Sequence, residues 1–337
     1  MKRIFSVSLM AVIAMAFVAA SAWGTTLEDT KKRGALRCGN NANFVGFSYL
    51  DKNGKWAGFD VDFCRATAAA IGVDIKFTPL TGVTRFPALQ NGEVDVLYRN
   101  TTWTSSRDTK LGFDFAGVNY YDGQGFMVKK KMKIKSAKQL NGATICVAAG
   151  STTEKNLGDY FRANNMKYKP VVFEKGDEVR AAYRAGRCDA YTTDASGLAS
   201  GRTTMKNPSD HIILPEIISK EPLGPATRHG DNQWRDIVAW VLNALIIAEE
   251  KGITAKNVDK VAKTSTDPET RRMLGVEGSV HEELGLDKDW AVRAIKARGN
   301  YGEIFERNIG KNTPINLARG LNQLWSKGGI LYAPPIR

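Results

Sequence analysis

The chain has 337 residues, room for two domains, and with 43% hydrophobic and 25% charged residues it is an ordinary globular composition, neither disordered nor fibrous. A net charge of +13 brings acidic surfaces and nucleic acid into consideration but says nothing about fold. Only three histidines are present, His211, His229 and His281, none at metal-ligand spacing; neither a metal nor a cofactor is expected.

Met1-Lys2-Arg3, the apolar run Ile4 to Ala20 and the small-x-small pattern Ala20-Ser21-Ala22 predict a signal peptide over residues 1–24, with Ala22-Trp23-Gly24 as a second cleavage pattern. Its removal takes Lys2 and Arg3 from +13 and leaves +11. The next most apolar run, Ile237 to Ala248, is too short to span a bilayer and is interrupted by Asn243. The mature chain is therefore read as soluble and exported, with no membrane span. In an oxidising compartment Cys38, Cys64, Cys146 and Cys188 can form disulfides in three pairings. No C-x-x-C is present, which argues against a redox or zinc role.

A helix over Leu27–Gly34 and a strand over Ala35–Gly39 come first, then a hairpin turn at Asp51-Lys52-Asn53-Gly54. A helix follows with Asp60 as N-cap and Gly72 just past its end, burying Val61, Cys64, Ala68 and Ile71. Strand Asp74–Pro79, helix Phe86–Asn91 and strand Val94–Tyr98 give βαβ punctuation, hence a parallel sheet covered by helices. Strands at Gly125–Lys129, Thr144–Val147, Val171–Phe173 and Asp189–Thr193, with helices after Gly150 and over Asp177–Ala185, repeat the pattern as a second lobe. From Gln233 the chain turns helical: Trp234, Ile237, Val238, Val241, Leu242 and Leu245 make one apolar face. Further helices are expected around Ala255–Lys263, Asp287–Ala297 and Asn316–Lys327.

Four segments, in order, carry a family resemblance. They are Gly58-Phe59-Asp60-Val61-Asp62, the run Ala88 to Val96 continuing into Asn100-Thr101-Thr102-Trp103-Thr104-Ser105-Ser106-Arg107, Gly150-Ser151-Thr152-Thr153, and Gly186 to Asp194. Over the whole mature length the chain resembles the periplasmic solute-binding proteins that feed polar amino acids to ABC importers. Lys220-Glu221-Pro222-Leu223-Gly224-Pro225, Arg228-His229-Gly230-Asp231 and Tyr332-Ala333-Pro334-Pro335 make it similar to the larger, general L-amino acid-binding members. The resemblance implies an α/β fold of two lobes, the type II periplasmic binding protein or Venus flytrap, with a helical C-terminal extension. One lobe is expected to hold residues 25–123 with 224–337 and the other 124–223, hinged near Gln124–Val128 and Pro222–Thr227. Disulfides Cys38–Cys64 and Cys146–Cys188 then stay within single lobes. It further implies a monomer in the periplasm that hands its ligand to permease subunits.

A free amino acid is a zwitterion, so its site needs a cation and helix N–H groups for the carboxylate, and an anion and carbonyls for the ammonium. Arg107 is the carboxylate clamp, by two parallel hydrogen bonds, and Asp194 the ammonium partner. Ser151, Thr152 and Thr153 stand where a helix begins, while Asn100 and Thr102 add a carbonyl and a hydroxyl. Phe44 is the expected lid, with Phe47 in the core. Asn41 stands where binders of cationic amino acids carry an acid, Arg99 where several relatives have serine, and Gly82 where many have an aromatic wall. Trp103 and Tyr98 are the candidates to replace that wall. With Gly82 leaving room, broad specificity is expected, with polar and acidic side chains accepted at least as well as lysine.

Three other classes compete with this reading. Cyclohexadienyl dehydratases resemble these binders, and a lytic transglycosylase could use Glu303 or Glu306 as a lone acid, but no partner constellation accompanies either glutamate. Lys129, Lys130, Lys131, Lys133, Lys135 and Lys138 put six lysines in ten residues, without interleaved aromatics or a nucleic-acid-binding motif. They read as a solvated edge of the second lobe, and no nucleic-acid partner is expected.

Overall fold

A computed structural model describes residues 25–337; the signal-peptide reading of residues 1–24 lies outside the described residues. Helix α1 (Thr26–Arg33) opens with a capping box between Thr25 and Glu28 and ends at Gly34, φ 69°. Strand β1 (Ala35–Asn40) leads into a small antiparallel sheet of β2 (Asn43–Phe44), β3 (Ser48–Leu50) and β4 (Trp56–Ala57), the Asn53-Gly54 turn joining the last two. Helix α2 (Phe59–Ile71) stops at Gly72, φ 84°, but its N-cap is Gly58 and not Asp60. Asp60 lies buried in the first turn, where its carboxylate accepts the Asn100 N–H at 3.0 Å and Asn119 Nδ2 at 3.2 Å. Two donors distant in sequence claim the side chain that local pattern assigns to the cap.

Strand β5 (Asp74–Pro79), helix α3 (Arg85–Gln90) and strands β6 (Val96–Leu97) and β7 (Phe113–Phe115) follow, and then β8 (Tyr120–Asp122) leaves the first lobe. The second lobe comprises β9 (Gln124–Lys129), β10 (Thr144–Ala148), α4 (Thr152–Ala163), β11 (Lys169–Phe173), α5 (Gly176–Arg184), β12 (Ala190–Asp194), α6 (Ala195–Thr203) and β13 (His211–Ile213). Strand β14 (Glu221–Leu223) returns antiparallel to β8, and β15 (Ala226–Arg228) re-enters the first sheet. Sheet order is β5-β1-β6-β15-β7 in one lobe and β11-β10-β12-β9-β13 in the other, the first three strands of each being parallel. Gln124–Lys129 is thus a strand of the second sheet, and β8 with β14 forms the two-stranded crossing between the sheets.

Disulfides join Cys38 to Cys64, tying β1 to α2, and Cys146 to Cys188. Helix α7 (Asn232–Glu250), capped by Asp231, buries the apolar face its sequence predicts against the first lobe. Helices α8 (Val258–Thr264), α9 (Pro268–Met273), α10 (Val280–Leu284), α11 (Trp290–Arg298) and α12 (Tyr301–Asn308) complete the extension. It is fastened through Asp62, 1% exposed, which takes Arg298, Arg307 and Asn308 from the extension. The helix expected over Asn316–Lys327 is absent; two short 3-10 turns, Gly320–Asn322 and Trp325–Lys327, stand in its place. Leu317, Leu321 and Leu324 imitate a helical stripe, but Asn316 (φ 55°) and Gly320 (φ 49°) adopt left-handed backbone that breaks it. Asn322 then fastens this loop to the crossing strand, accepting the Tyr121 N–H at 2.6 Å and donating to the Tyr121 carbonyl at 3.0 Å.

Candidate functional site

The carboxyl ends of the parallel strands of both lobes face one another across a crevice, where ligands of α/β sheets characteristically bind. A cavity of about 450 Å³ lies there. The first lobe lines it with Asn41 after β1, Thr81 and Gly82 after β5, and Arg99, Asn100 and Thr102 after β6. The second lobe contributes Ser151 to Thr153 after β10, Glu174 and Lys175 after β11, and Asp194 at the end of β12. Nine of the ten residues proposed from sequence (Asn41, Phe44, Arg99, Asn100, Thr102, Ser151, Thr152, Thr153 and Asp194) therefore border one space. The tenth, Arg107, is buried on a π-helical turn behind Thr102, its Nη1 donating to the Thr102 carbonyl at 2.8 Å, and is not part of the lining.

Asp194 is 9% exposed, and its Oδ1 has no hydrogen-bond partner among the described residues. Burial, then Asp122 and Glu221, hold its carboxyl well above the ordinary range, against the pull of Arg85 and Arg107. Three guanidiniums face these acids, those of Arg85 and Arg107 buried and that of Arg99 half-buried. Arg99 donates from Nε to the Leu80 carbonyl at 2.9 Å and, like Arg107, is pulled down to about 10 by burial, so both remain cations at neutral pH. Arg85 and Arg107 flank the Phe86 ring, 4.7 and 5.1 Å from its centroid.

Asn100, at φ 44°, holds a left-handed conformation that asparagine tolerates, and its buried side-chain amide has no partner among the described residues. Ser151 caps α4, accepting the Glu154 N–H at 3.1 Å, so capping and lining coexist in one residue. Thr153 shares a hydrogen bond with Ser151, Oγ1 to Oγ 2.9 Å, and its carbonyl accepts Gln124 Nε2.

Two residues escaped sequence reasoning. Arg85 lines the cavity directly; its signal was a cation just past the end of β5. Glu221, 1% exposed on β14, accepts Thr102 Oγ1 at 2.5 Å, Thr152 Oγ1 at 2.8 Å, Asn156 Nδ2 at 2.6 Å and Ser219 Oγ at 2.8 Å. An acid within an apolar crossing segment was the available signal.

The lobes touch across the cavity. Thr81 Oγ1 donates to Glu174 at 2.9 Å, Arg180 Nη2 to the Asn43 carbonyl at 2.8 Å and Ser200 Oγ to the Val45 carbonyl at 2.8 Å. Gly82 leaves no free space: a Cβ there would lie 2.6 Å from the Ala149 carbonyl oxygen of the other lobe. Its lack of a side chain serves close approach between lobes, which corrects the expectation of an open wall. Neither replacement wall forms. Trp103 is on the surface, stacked on Phe115 and bonded to Asp108, and Tyr98 is in the core beside Thr67. Phe44 does line the cavity, stacked on buried Phe47 at 4.6 Å. Glu303 is the capping-box partner of Asn300 and also accepts the Ala255 N–H, a structural use that removes it as a lone acid.

Two α/β lobes closed on a buried, charge-rich cavity define the class of two-lobed solute-binding proteins. The family model of bacterial extracellular solute-binding proteins, family 3, matches residues 36–272, and the chain belongs to that family. It is 60% identical over 332 residues to the General L-amino acid-binding periplasmic protein AapJ of Rhizobium johnstonii, covering 97% of this chain and 96% of that one. It is 58% identical over 325 residues to the Glutamate/glutamine/aspartate/asparagine-binding protein BztA of Rhodobacter capsulatus, with 96% of each covered. Among solved structures, an ABC transporter/periplasmic binding protein from Brucella ovis with glutathione bound matches with TM-score 0.90 and 58% identity, over 93% of this chain and all of that one. No helix of the described residues is long and apolar enough to cross a membrane.

Proposed function

We propose that this protein is the periplasmic solute-binding component of an ABC importer, that it captures L-amino acids between its lobes, and that it delivers them to permease subunits as a monomer. The observation that carries this reading is Asp194. A buried carboxylate with an unpartnered oxygen is costly unless a cation completes it, and a ligand ammonium does so. The ligand carboxylate belongs with Arg85 and the N-terminus of α4, which line the cavity, and with Arg107 as the clamp that joins them by turning from the Thr102 carbonyl. Lobes of residues 25–123 with 224–337, and of 124–223, would open and close about β8 and β14, because contacts such as Thr81–Glu174 exist only when closed. Polar and acidic side chains fit the mixed lining of Asn41, Asn43, Arg99 and Lys175, in keeping with the ligands in the names of AapJ and BztA.

Glutathione is a second reading, favoured by the length of the cavity. The lining crosses from Asp194 on β12 past β10 to Lys175 and Arg180 beyond β11, two strand spacings or about 10 Å away. Its γ-glutamyl end is a free α-amino acid, and its far carboxylate would reach those cations, as suits the relative from Brucella ovis.

A thermal-shift panel of the twenty L-amino acids and glutathione tests both readings, since a ligand at a hundred times its Kd adds about 2.7 kcal/mol of stability. Several amino acids should stabilise the protein. Stabilisation by none would return the dehydratase alternative, for which turnover of prephenate or arogenate is the assay; no turnover is expected.

A further inference from the structure

The solute cleft leaves unused a recess of about 610 Å³ at the opposite end of the second lobe. Three chain segments meet there: Lys129, Lys130, Lys131 and Lys133 from the end of β9 and the turn after it, Arg184 from the end of α5, and Lys206 beyond α6. Six cations thus converge with one carboxylate, Asp210. None of the six is paired with a carboxylate within 4.0 Å among the described residues. Lys129 is half-buried and the other five are exposed around the recess, where six like charges repel one another; the turn after β9 is closed by Lys133, left-handed at φ 57°. The wall carries His211 and buried Met205, and behind it the buried Tyr183 OH lies 2.9 Å from His211 Nδ1. Burial and then Lys129, opposed by Asp210, lower the His211 pKa, so a neutral ring accepting from Tyr183 at Nδ1 keeps its Nε2 proton as a donor.

We infer that this recess is a second ligand site, for a multiply charged phosphate-bearing anion. Lys129 and Gln124 are at opposite ends of β9, about 17 Å apart, and Gln124 pairs with Asp194, so the recess and the solute cleft are separate places in one lobe. Six ammonium and guanidinium groups around a concavity match a phosphate ester or an anionic phospholipid headgroup, whose chemistry here is the same. The lysine run read from sequence as a solvated edge is exposed apart from half-buried Lys129; four of its lysines line the recess, while Lys135 and Lys138 are outside its lining.

The test uses the mature protein and the exposed double variant Lys131→Glu with Lys206→Glu, whose amino-acid affinity should be unchanged. Inorganic pyrophosphate is titrated by calorimetry at low salt, and vesicles with and without phosphatidylglycerol are tested by flotation. The parent should bind at least one probe, with affinity falling steeply as salt rises, and the variant should bind it at least tenfold more weakly. Pyrophosphate binding alone would assign a soluble phosphate ester, and binding to phosphatidylglycerol vesicles a lipid headgroup. Binding of neither probe by the parent, or equal binding by parent and variant, would overturn the inference.

Discussion

Thr102 in the first lobe and Glu221 on the crossing strand are joined by a 2.5 Å hydrogen bond, and the same carboxylate oxygen accepts Thr152 of the second lobe. Because a carboxylate only accepts, both threonine protons are committed to Glu221, and the hydroxyl oxygens left to the cavity are acceptors. They suit a ligand ammonium. Glu221→Gln replaces acceptors by an amide that cannot serve all four donors. Hydrogen bonds to a charged group are worth about 1.5–3 kcal/mol, so affinity should fall about tenfold or more, and the melting temperature should fall as well because these bonds are made without ligand. Calorimetry that returns parental affinity would remove Glu221 from the closing mechanism.

Removing one partner of a buried charge pair costs roughly 2–5 kcal/mol, about 30- to several-thousand-fold in affinity. Asp194→Ala and Arg107→Ala should each lose this much in titrations with an amino acid that binds the parent. Arg107→Lys should fail as well, since the two-pronged geometry goes with the guanidinium. Arg85→Ala is the comparison: if it abolishes binding while Arg107→Ala does not, the carboxylate belongs to Arg85.

Binding should release protons. In the closed cavity without ligand, burial and the neighbouring acids Asp122 and Glu221 raise the Asp194 pKa well above its ordinary value. A bound ammonium lowers it again, so between the two values ligand expels a proton and affinity climbs as pH rises. Calorimetry in buffers of different ionisation enthalpy measures the sign directly. Proton uptake on binding would contradict this role, and Asp194→Asn should abolish the exchange.

Much of the fold was legible because it rests on local signals. β5 spans Asp74–Pro79 as read, and the Trp234-to-Leu245 stripe marks the face that α7 buries. The disulfide pairs are those that keep each bridge within one lobe. What failed was decided by distant partners. Asp60 looks like a cap until Asn100 and Asn119 are brought to it, and Glu221 served only as a family marker until four donors converged on it. Gly82 could be read as empty space because nothing in its neighbourhood in sequence announces the Ala149 carbonyl.

That carbonyl makes Gly82→Ala a test of closure. A Cβ at 2.6 Å from backbone oxygen forces one lobe to shift, whereas in an open molecule it meets no such contact. The variant should keep its thermal stability without ligand, lose amino-acid affinity, and show less compaction than the parent in small-angle scattering with saturating ligand. Equal compaction would show that the lobes accommodate the methyl group.

The most direct measurement is calorimetric titration of residues 25–337 with L-glutamate, L-glutamine, L-aspartate, L-asparagine, L-lysine and glutathione, alongside glutarate, which keeps two carboxylates and lacks the ammonium. Saturable one-to-one binding of several of these amino acids, with at least 30-fold weaker binding of glutarate than of glutamate, is the predicted result. Glutarate binding as tightly as glutamate, or no amino acid binding at all, would contradict a site built around Asp194.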